Sequence, residues 1–205
     1  MTRANRSSSV IVLCLVVMLC PTPSDSQGAR VLRKEWKKLE GADEATRHIA
    51  LRNVDSYADP DLMEEIAQKD RDPEIRAEAT ARVRNQALLA KLAVKDPVVR
   101  VREEATKKLT DPQLLVRIVT TDPSDSVRLA AIGNAKLIDQ TRLAALAQAD
   151  TNQWVRTAAV QRLTDQVALG QIAQGDSVLE IRLKATKRLS DQTLLARFAT
   201  HADRA

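Results

Sequence analysis

A ten-residue pattern recurs along this chain at intervals close to 26 residues, and this repetition constrains the fold more than any other feature. The pattern is Asp, four residues, Val or Ile, Arg, two residues and Ala. Its five copies carry the pairs Asp70 and Arg76, Asp96 and Arg102, Asp122 and Arg128, Asp150 and Arg156, and Asp176 and Arg182. A degenerate copy at Arg47 lacks the aspartate. Successive arginines are 29, 26, 26, 28 and 26 residues apart, and a fixed period of about 20–50 residues indicates a repeat architecture.

A second block of sequence alternates with the first and begins with Asp or Asn, followed by Pro or Gln. Examples are NQALLAKLA from Asn85 and DPQLLVRIV from Asp111. Asp and Asn are good N-caps because their side-chain oxygen accepts an otherwise unpaired backbone N–H. The apolar residues that follow, such as Leu89, Leu92 and Ala93, fall on one helical stripe. Each block therefore predicts a short helix, called the leading helix below.

The Asp-Arg pattern predicts a second short helix in each repeat, called the Arg-bearing helix below. Val101, Ala105 and Leu109 stand at i, i+4 and i+8 and form one apolar stripe. A helix of about ten residues is marginal in water by itself, so the helices of a repeat must pack against each other and against their neighbours. In one repeat, Gly133 and Asn134 predict an early helix end or a bend.

These helices predict an all-α protein in which about six two-helix repeats stack as an α-solenoid. The five Gly and seven Pro in 205 residues are too few for the turns of a many-stranded β-protein. We predict a signal peptide over residues 1–26, an N-terminal capping half-repeat over residues 27–40, and the repeat array over residues 41–205. The half-repeat carries Leu32, Trp36 and Leu39, the stripe of a lone Arg-bearing helix.

The repeated pattern, with an apolar residue four positions after the Ala in most copies, resembles the inner-helix signature of the short HEAT-like repeats of bacteria. This resemblance covers residues 31–205 and implies a right-handed superhelix whose inner surface is lined by the Arg-bearing helices. It also implies that Asp and Arg form a hydrogen-bonded ladder through the loops, with each Asp paired to the Arg of its own copy. Arg47 has no such mate, because Gly41 stands in that place. An Asp that precedes Pro97 or Pro123 can alternatively be an N-cap.

The N-terminal residues have the composition of a secretory signal. Arg3 and Arg6 precede an apolar run of 11 residues, which is followed by the small and polar stretch PTPSDSQGA. Such a run forms about 16 Å of helix, too short to cross a bilayer. Cys14 and Cys20 both lie in this segment, so the mature chain would carry no thiol. We predict export to the periplasm or the medium without a membrane span, and a retained membrane anchor is the alternative.

The residues that usually carry catalysis are scarce. His48 and His201 lie about six repeats apart, which argues against a shared metal site. The five glycines form no phosphate-binding loop, and no serine stands in a nucleophile elbow. The sequence therefore predicts a protein that is not an enzyme, with no catalytic residue, no metal site and no cofactor.

The surface offers two candidate partner-binding features. The fifth and sixth residues after the motif arginines are mostly basic, and the candidates among them are Arg82, Lys107, Lys108, Arg162, Lys187 and Arg188. They predict a basic stripe that either binds an acidic partner or complements the dipoles of the helices that carry it. Trp154 stands where other copies carry polar residues, so it is either an interface anchor or a cover for a neighbouring loop.

These features favour an exported, non-catalytic scaffold that binds another protein of unknown identity. End-to-end self-association is a second mode, because the last helix exposes Leu194, Leu195 and Phe198 near the C-terminus. Nucleic-acid binding through a basic concave face is an alternative that a net charge of only +5 and an aromatic content of 2% disfavour. A bilin-lyase-type enzyme, known among HEAT-like proteins, is a further alternative that only the repeat supports.

Overall fold

In a computed structural model of the chain, residues 26–39, 41–53, 59–137 and 139–190 are described, and these form twelve α-helices without a β-strand. The prediction of an all-α protein is confirmed for this part of the chain. The helices are α1 (Ser26–Lys38), α2 (Glu44–Asn53), α3 (Pro60–Lys69), α4 (Pro73–Thr80), α5 (Gln86–Lys95), α6 (Val99–Lys108), α7 (Pro112–Thr121), α8 (Asp125–Gly133), α9 (Gln140–Ala149), α10 (Gln153–Arg162), α11 (Gln166–Gly175) and α12 (Leu179–Arg188).

The helices pack as neighbouring pairs within two compact units, the first ending at Lys108 and the second beginning at Leu109. In the first unit, α3 packs against α4 and α5 packs against α6, and the Arg-bearing helices α2, α4 and α6 also contact one another in sequence. In the second unit the pairs are α7 with α8, α9 with α10, and α11 with α12. There, leading helices contact leading helices and Arg-bearing helices contact Arg-bearing helices.

Each described leading helix begins at the predicted N-cap. The Asp59 side chain accepts the Leu62 N–H at 3.0 Å, and Asp111 accepts the Gln113 N–H at 2.9 Å. Pro60 and Pro112 occupy the first helical turn, where the missing N–H costs nothing. The cap residues are Asp59, Asn85, Asp111, Asp139 and Asp165. The Asp/Asn-Pro/Gln blocks therefore place these helix starts as predicted.

The aspartates of the repeated pattern end the leading helices instead of starting the Arg-bearing ones. They are the C-cap residues Asp70, Asp96, Asp122, Asp150 and Asp176. The side chain of each accepts the N–H two residues later, as Asp96 does from Val98 at 2.8 Å. The alternative N-cap role before Pro97 and Pro123 is therefore wrong, and the side-chain caps that the structure does show on α4 and α10 are Asp72 and Asn152.

The core lies between the leading and Arg-bearing helices of each unit and follows the predicted stripes. Val101 and Ala105 of α6 are fully buried, as are Val155 and Ala159 of α10. The early helix end predicted in one repeat is present, because α8 stops at Gly133 while α6, α10 and α12 extend one position further relative to their arginines, although α4 ends earlier still, at Thr80. Regular spacing of small and branched apolar residues thus positions every arginine of the pattern on the same side of its helix.

The N-terminal helix α1 packs against the leading helix α3, and the Arg33 Nε donates to Asp59 Oδ2 at 2.8 Å. Residues 1–25 of the predicted signal segment lie outside the described residues, and its last residue, Ser26, is the first residue of α1. Cys14, Cys20 and His201, together with the exposed end predicted at Leu194, Leu195 and Phe198, also lie outside them. In the part of the chain that is described, no helix is both long enough and apolar enough to span a bilayer.

Candidate functional site

In the second unit, the motif arginines connect consecutive inter-helix loops. Arg128 Nη1 donates to the main-chain oxygens of Asp122 at 3.1 Å and Pro123 at 3.2 Å. Its Nε and Nη2 donate to the two carboxylate oxygens of Asp150, in the next repeat, both at 2.9 Å. Arg156 repeats this arrangement with the Asp150 carbonyl at 3.0 Å and with the Asp176 carboxylate at 2.8 and 3.2 Å.

The same arrangement begins in the first unit. Arg47 Nη2 donates to Asp70 Oδ2, and the Arg47 guanidinium carbon lies 6.0 Å from the centre of the Trp36 ring. Arg76 Nη1 donates to the Asp70 carbonyl at 2.8 Å, and its Nε lies 3.7 Å from Asp96 Oδ2. The remaining motif arginines also donate to their own loops, Arg102 to the Asp96 carbonyl at 3.1 Å and Arg182 to the Asp176 carbonyl at 2.6 Å.

The ladder differs from the pairing that the HEAT resemblance implied. In each pair of one copy, such as Asp150 and Arg156, the arginine binds the main-chain oxygen of the aspartate. Within each unit, the carboxylate instead binds the arginine of the preceding repeat, as Asp150 binds Arg128. For the same reason Arg47, which has no aspartate in its own copy, is paired with Asp70. The aspartate therefore couples three functions in one residue: a helix end, a turn and a bond to the neighbouring repeat.

The ladder charges are largely removed from water. The side chains of Arg128 and Asp150 are 13% and 6% exposed, and those of Arg156 and Asp176 are 12% and 4% exposed. Burial raises the pKa of Asp176, but hydrogen bonds from Arg156 and from the Val178 N–H outweigh it and hold that pKa below the ordinary 3.8. A buried pair of this kind is costly to break, because the remaining charge keeps its desolvation penalty.

The predicted basic stripe has another role in the structure. Four residues at the sixth position donate to main-chain oxygens at the end of the preceding Arg-bearing helix, among them Lys108 to Ala81 at 2.6 Å and Arg188 to Leu163 at 2.9 Å. Arg162 contacts three carbonyls, those of Ile132, Asn134 at 2.7 Å and Leu137 at 2.6 Å. Asn134, which interrupts the stripe, donates to Leu109 at 2.9 Å. Lys108, Asn134, Arg162 and Arg188 are called the carbonyl-capping residues below.

The other candidates of the stripe are divided between local pairs and solvent. Arg82 donates to the carbonyl and to the carboxylate of Glu78, at 2.9 and 3.2 Å. Lys107 lies 2.7 Å from Glu103 and 2.9 Å from Glu104, whereas Lys187 is exposed on the last turn of α12. The carbonyl-capping role was not predicted from the sequence, because the carbonyls belong to a neighbouring helix. The sequence signal for this role is the recurrence of Lys or Arg at the sixth residue after the motif arginine, as at Lys108, Arg162 and Arg188.

Glutamines after the leading-helix caps hold the loop that leaves their own repeat. Gln140 Oε1 accepts the Thr164 N–H at 2.8 Å, and Gln166 Oε1 accepts the Ser190 N–H at 2.8 Å. Gln86 Nε2 donates to the Lys108 carbonyl at 3.2 Å. The Asp-Gln dipeptide therefore combines a helix cap with a loop contact, which its N-cap reading alone did not predict.

Two clefts lie beside the Arg–Asp ladder, one in each unit. The cleft of the first unit has a volume of about 410 Å³ and is lined by Trp36, Arg47 and Asp70 among others. The cleft of the second unit, of about 350 Å³, is lined by Arg128 and Asp150 with apolar residues of α7 and α9. In both, charges that already bond to each other form part of the wall. Residues of the ladder therefore form part of the wall of each cleft.

An apolar surface faces solvent on the Arg-bearing helices of the second unit. Trp154 of α10 is 61% exposed, and Leu179 and Leu183 of α12 are 60% and 51% exposed. The two leucines stand at i and i+4, on the side of α12 away from the buried Ile181. Because α10 packs against α12, these three residues belong to adjacent helices, and they are called the Trp154 surface below.

The structure brings His48 close to carboxylates from three places in the first unit. Its Nδ1 lies 3.0 Å from Glu78 Oε2 of α4, and its Nε2 lies 3.7 Å from Glu44 Oε1 of α2. Ligand atoms of Glu44, His48 and Asp72 all lie within 4.8 Å of one another. The sequence predicted no metal site at His48, because its neighbours in space are up to 30 residues away along the chain.

Comparison with models of protein families, with curated proteins and with solved structures found no match for this chain.

Replacing a ladder arginine should destabilise the second unit strongly. We expect Arg128→Ala to lower the free energy of unfolding by about 3–5 kcal/mol, because it leaves the buried Asp150 carboxylate unpaired. Arg117→Ala, which removes an exposed arginine from α7, is the matched control and should change stability by less than about 0.5 kcal/mol. Urea unfolding followed by circular dichroism measures both values, and equal losses would contradict the ladder's role.

The contribution of the Arg156–Asp176 pair should depend on pH. Since the pKa of Asp176 is lower in the folded chain than its ordinary 3.8, the pair adds stability above that value. This stability is lost as the pH falls through the folded pKa. The destabilisation caused by Arg156→Ala should therefore be largest near neutral pH and shrink below the ordinary pKa. Denaturant unfolding of both proteins across this range tests it, and a pH-independent difference would refute the assignment.

Proposed function

We propose that this chain is a HEAT-like repeat protein that binds another protein and carries out no catalysis itself. The repeated motif, the paired short helices and the arginines that link successive loops support this proposal. In it, the helix pairs continue as an α-solenoid with a right-handed superhelical path and the Arg-bearing helices inside. A stacked array of short helices holds the exposed side chains of those helices in fixed positions, and such an extended surface suits the recognition of another protein.

The observation that carries the binding role is the Trp154 surface. Trp154 is a large aromatic side chain on a regular helix, and most of it is in water. Interfaces concentrate their binding energy in such residues, because Trp buries much apolar area at a small entropic cost. Single exposed apolar residues are common and need no explanation, but here Leu179 and Leu183 are exposed as well, on the helix that packs against that of Trp154.

The basic residues support protein binding better than nucleic-acid binding. Lys108, Arg162 and Arg188 use their head groups to cap main-chain oxygens. Lys107 and Arg82 are paired with glutamates. A surface that grips phosphates needs cations directed at solvent. The stripe that motivated the nucleic-acid alternative is therefore mostly committed to contacts within the chain.

We further propose that the protein acts after export, with residues 1–26 serving as its signal peptide. The basic residues, the short apolar run and the small, polar stretch that follows support this assignment. A chain released without these residues would lack both cysteines and would rely on packing and on the ladder rather than on disulfides. A retained membrane anchor would leave the same binding surface outside the bilayer.

The binding role can be tested by site-specific cross-linking. A photoreactive phenylalanine analogue in place of Trp154 should capture a partner in the producing cell, whereas the analogue in place of Val167 should not. Val167 is the matched control, because it is 65% exposed but lies on the leading helix α11.

The partner identified in this way should bind the purified Trp154→Ala protein at least about 30-fold more weakly than the unaltered chain, as expected for an interface anchor. Thermal unfolding should be unchanged by this substitution, since the side chain is exposed. Equal cross-linking from both positions, or full affinity of Trp154→Ala, would contradict the proposal.

A further inference from the structure

We propose that Glu44, His48 and Asp72 form a binding site for one divalent transition-metal ion of the Zn²⁺ type in the first unit. Glu44 and His48 lie one turn apart on α2, and Asp72 caps the N-terminus of α4. The site is independent of the protein-binding role proposed above, because the Trp154 surface belongs to the second unit.

The donor atoms are close enough for a shared ion. The ligand atoms of the three residues lie within 4.8 Å of one another, and His48 Nε2 is 3.7 Å from Glu44 Oε1. Bonds of about 2.0–2.2 Å to nitrogen and oxygen place tetrahedral ligands about 3.4 Å apart. The Glu44 side chain is 66% exposed, so it can close the remaining distance by a change of rotamer without disturbing the core.

A fourth residue orients the imidazole as a ligand. Glu78 of α4 lies 3.0 Å from His48 Nδ1, and it is itself held by Arg82 at 3.2 Å. When Nδ1 donates its hydrogen to a carboxylate, Nε2 keeps its lone pair. That lone pair is then on the ring edge that faces Glu44. This carboxylate–histidine arrangement is the usual support of a metal-bound histidine, which it fixes in tautomer and orientation.

The charge balance at the cluster favours a bound cation. Among the described residues, neither Glu44 nor Asp72 has a lysine or arginine within ion-pair distance, whereas Glu78 has two arginines within 4 Å. Asp72 uses Oδ1 for the N–H groups of Glu74 at 2.9 Å and Ile75 at 3.4 Å, and its second oxygen is left for a ligand. Two carboxylates that converge on one imidazole without a compensating cation repel each other, and a divalent ion removes that repulsion.

The donor set selects the class of metal. One imidazole nitrogen with two carboxylate oxygens suits Zn²⁺ and its neighbours in the first transition row, whereas Ca²⁺ and Mg²⁺ prefer oxygen alone. Three protein ligands leave a position for water, as in open zinc sites. The ion would join α2 to the start of α4 and so would tie two successive Arg-bearing helices together.

The test is titration of the purified full chain with Zn²⁺ by isothermal calorimetry, together with the thermal unfolding midpoint with and without the ion. We expect one equivalent to bind and the midpoint to rise, with no such effect from Ca²⁺. His48→Ala should abolish both effects. Asp72→Asn should weaken binding by at least about tenfold while preserving the helix cap, because Asn caps as well as Asp.

Three further variants make the result specific. Glu78→Ala should weaken Zn²⁺ binding by about 10–100-fold, because His48 then loses the acceptor that orients its ring, although Glu78 does not touch the ion. Glu180→Gln removes an exposed carboxylate of α12 and should leave the affinity unchanged. The double variant Cys14→Ser and Cys20→Ser should also bind normally, since thiols are the main competing zinc ligands in this chain. Absence of stoichiometric binding, binding that survives both His48→Ala and Asp72→Asn, or loss of binding in the cysteine variant would overturn the proposal.

Discussion

A guanidinium placed between two loops is the interaction on which each unit depends. Each described helix has only 8–13 residues, a length at which an isolated helix is marginal in water. The apolar stripes attract one helix to the next, but a stripe of Val, Ala and Leu does not by itself fix where along the axis the helices meet. Arg128 supplies that register, because its donors bind the loop of its own repeat and the carboxylate of Asp150 in the next. A lysine could not do so, since it lacks the planar fork of donors.

The opposite ends of the Arg-bearing helices are fixed by a different contact. The last carbonyls of a helix have no partner within it, and here Arg162 reaches the end of α8 while Arg188 reaches the end of α10. Loop carbonyls are thus satisfied by the motif arginine of their own repeat, and helix-end carbonyls by a side chain of the following repeat. These contacts account for the long basic side chains at these positions of the Arg-bearing helices. Trp154 and His48 lie on Arg-bearing helices, at positions that take part neither in the Arg–Asp ladder nor in the capping of helix-end carbonyls.

Much of this arrangement was readable from the sequence, and the reason is physical. The helices and their caps follow from local rules, so Asp111 with Pro112 and the stripe through Val101 and Ala105 predicted helix starts and core positions correctly. The predicted partner of each carboxylate, the arginine of its own copy, was wrong, because the sequence does not tell which of two nearby arginines a C-cap aspartate faces. The convergence of His48 with Asp72 was missed for a related reason, since it depends on how two helices pack.

The central claim is that the motif aspartate bonds the arginine of the preceding repeat through its carboxylate and that of its own repeat only through its carbonyl. Double-mutant cycles on unfolding free energies test this most directly, with Arg156→Ala combined in turn with Asp176→Ala and with Asp150→Ala. The account predicts a coupling energy of about 1–3 kcal/mol for Arg156 with Asp176, and a much smaller one for Arg156 with Asp150, whose contact is made by the main chain. Equal coupling energies, or a larger value for Asp150, would contradict it.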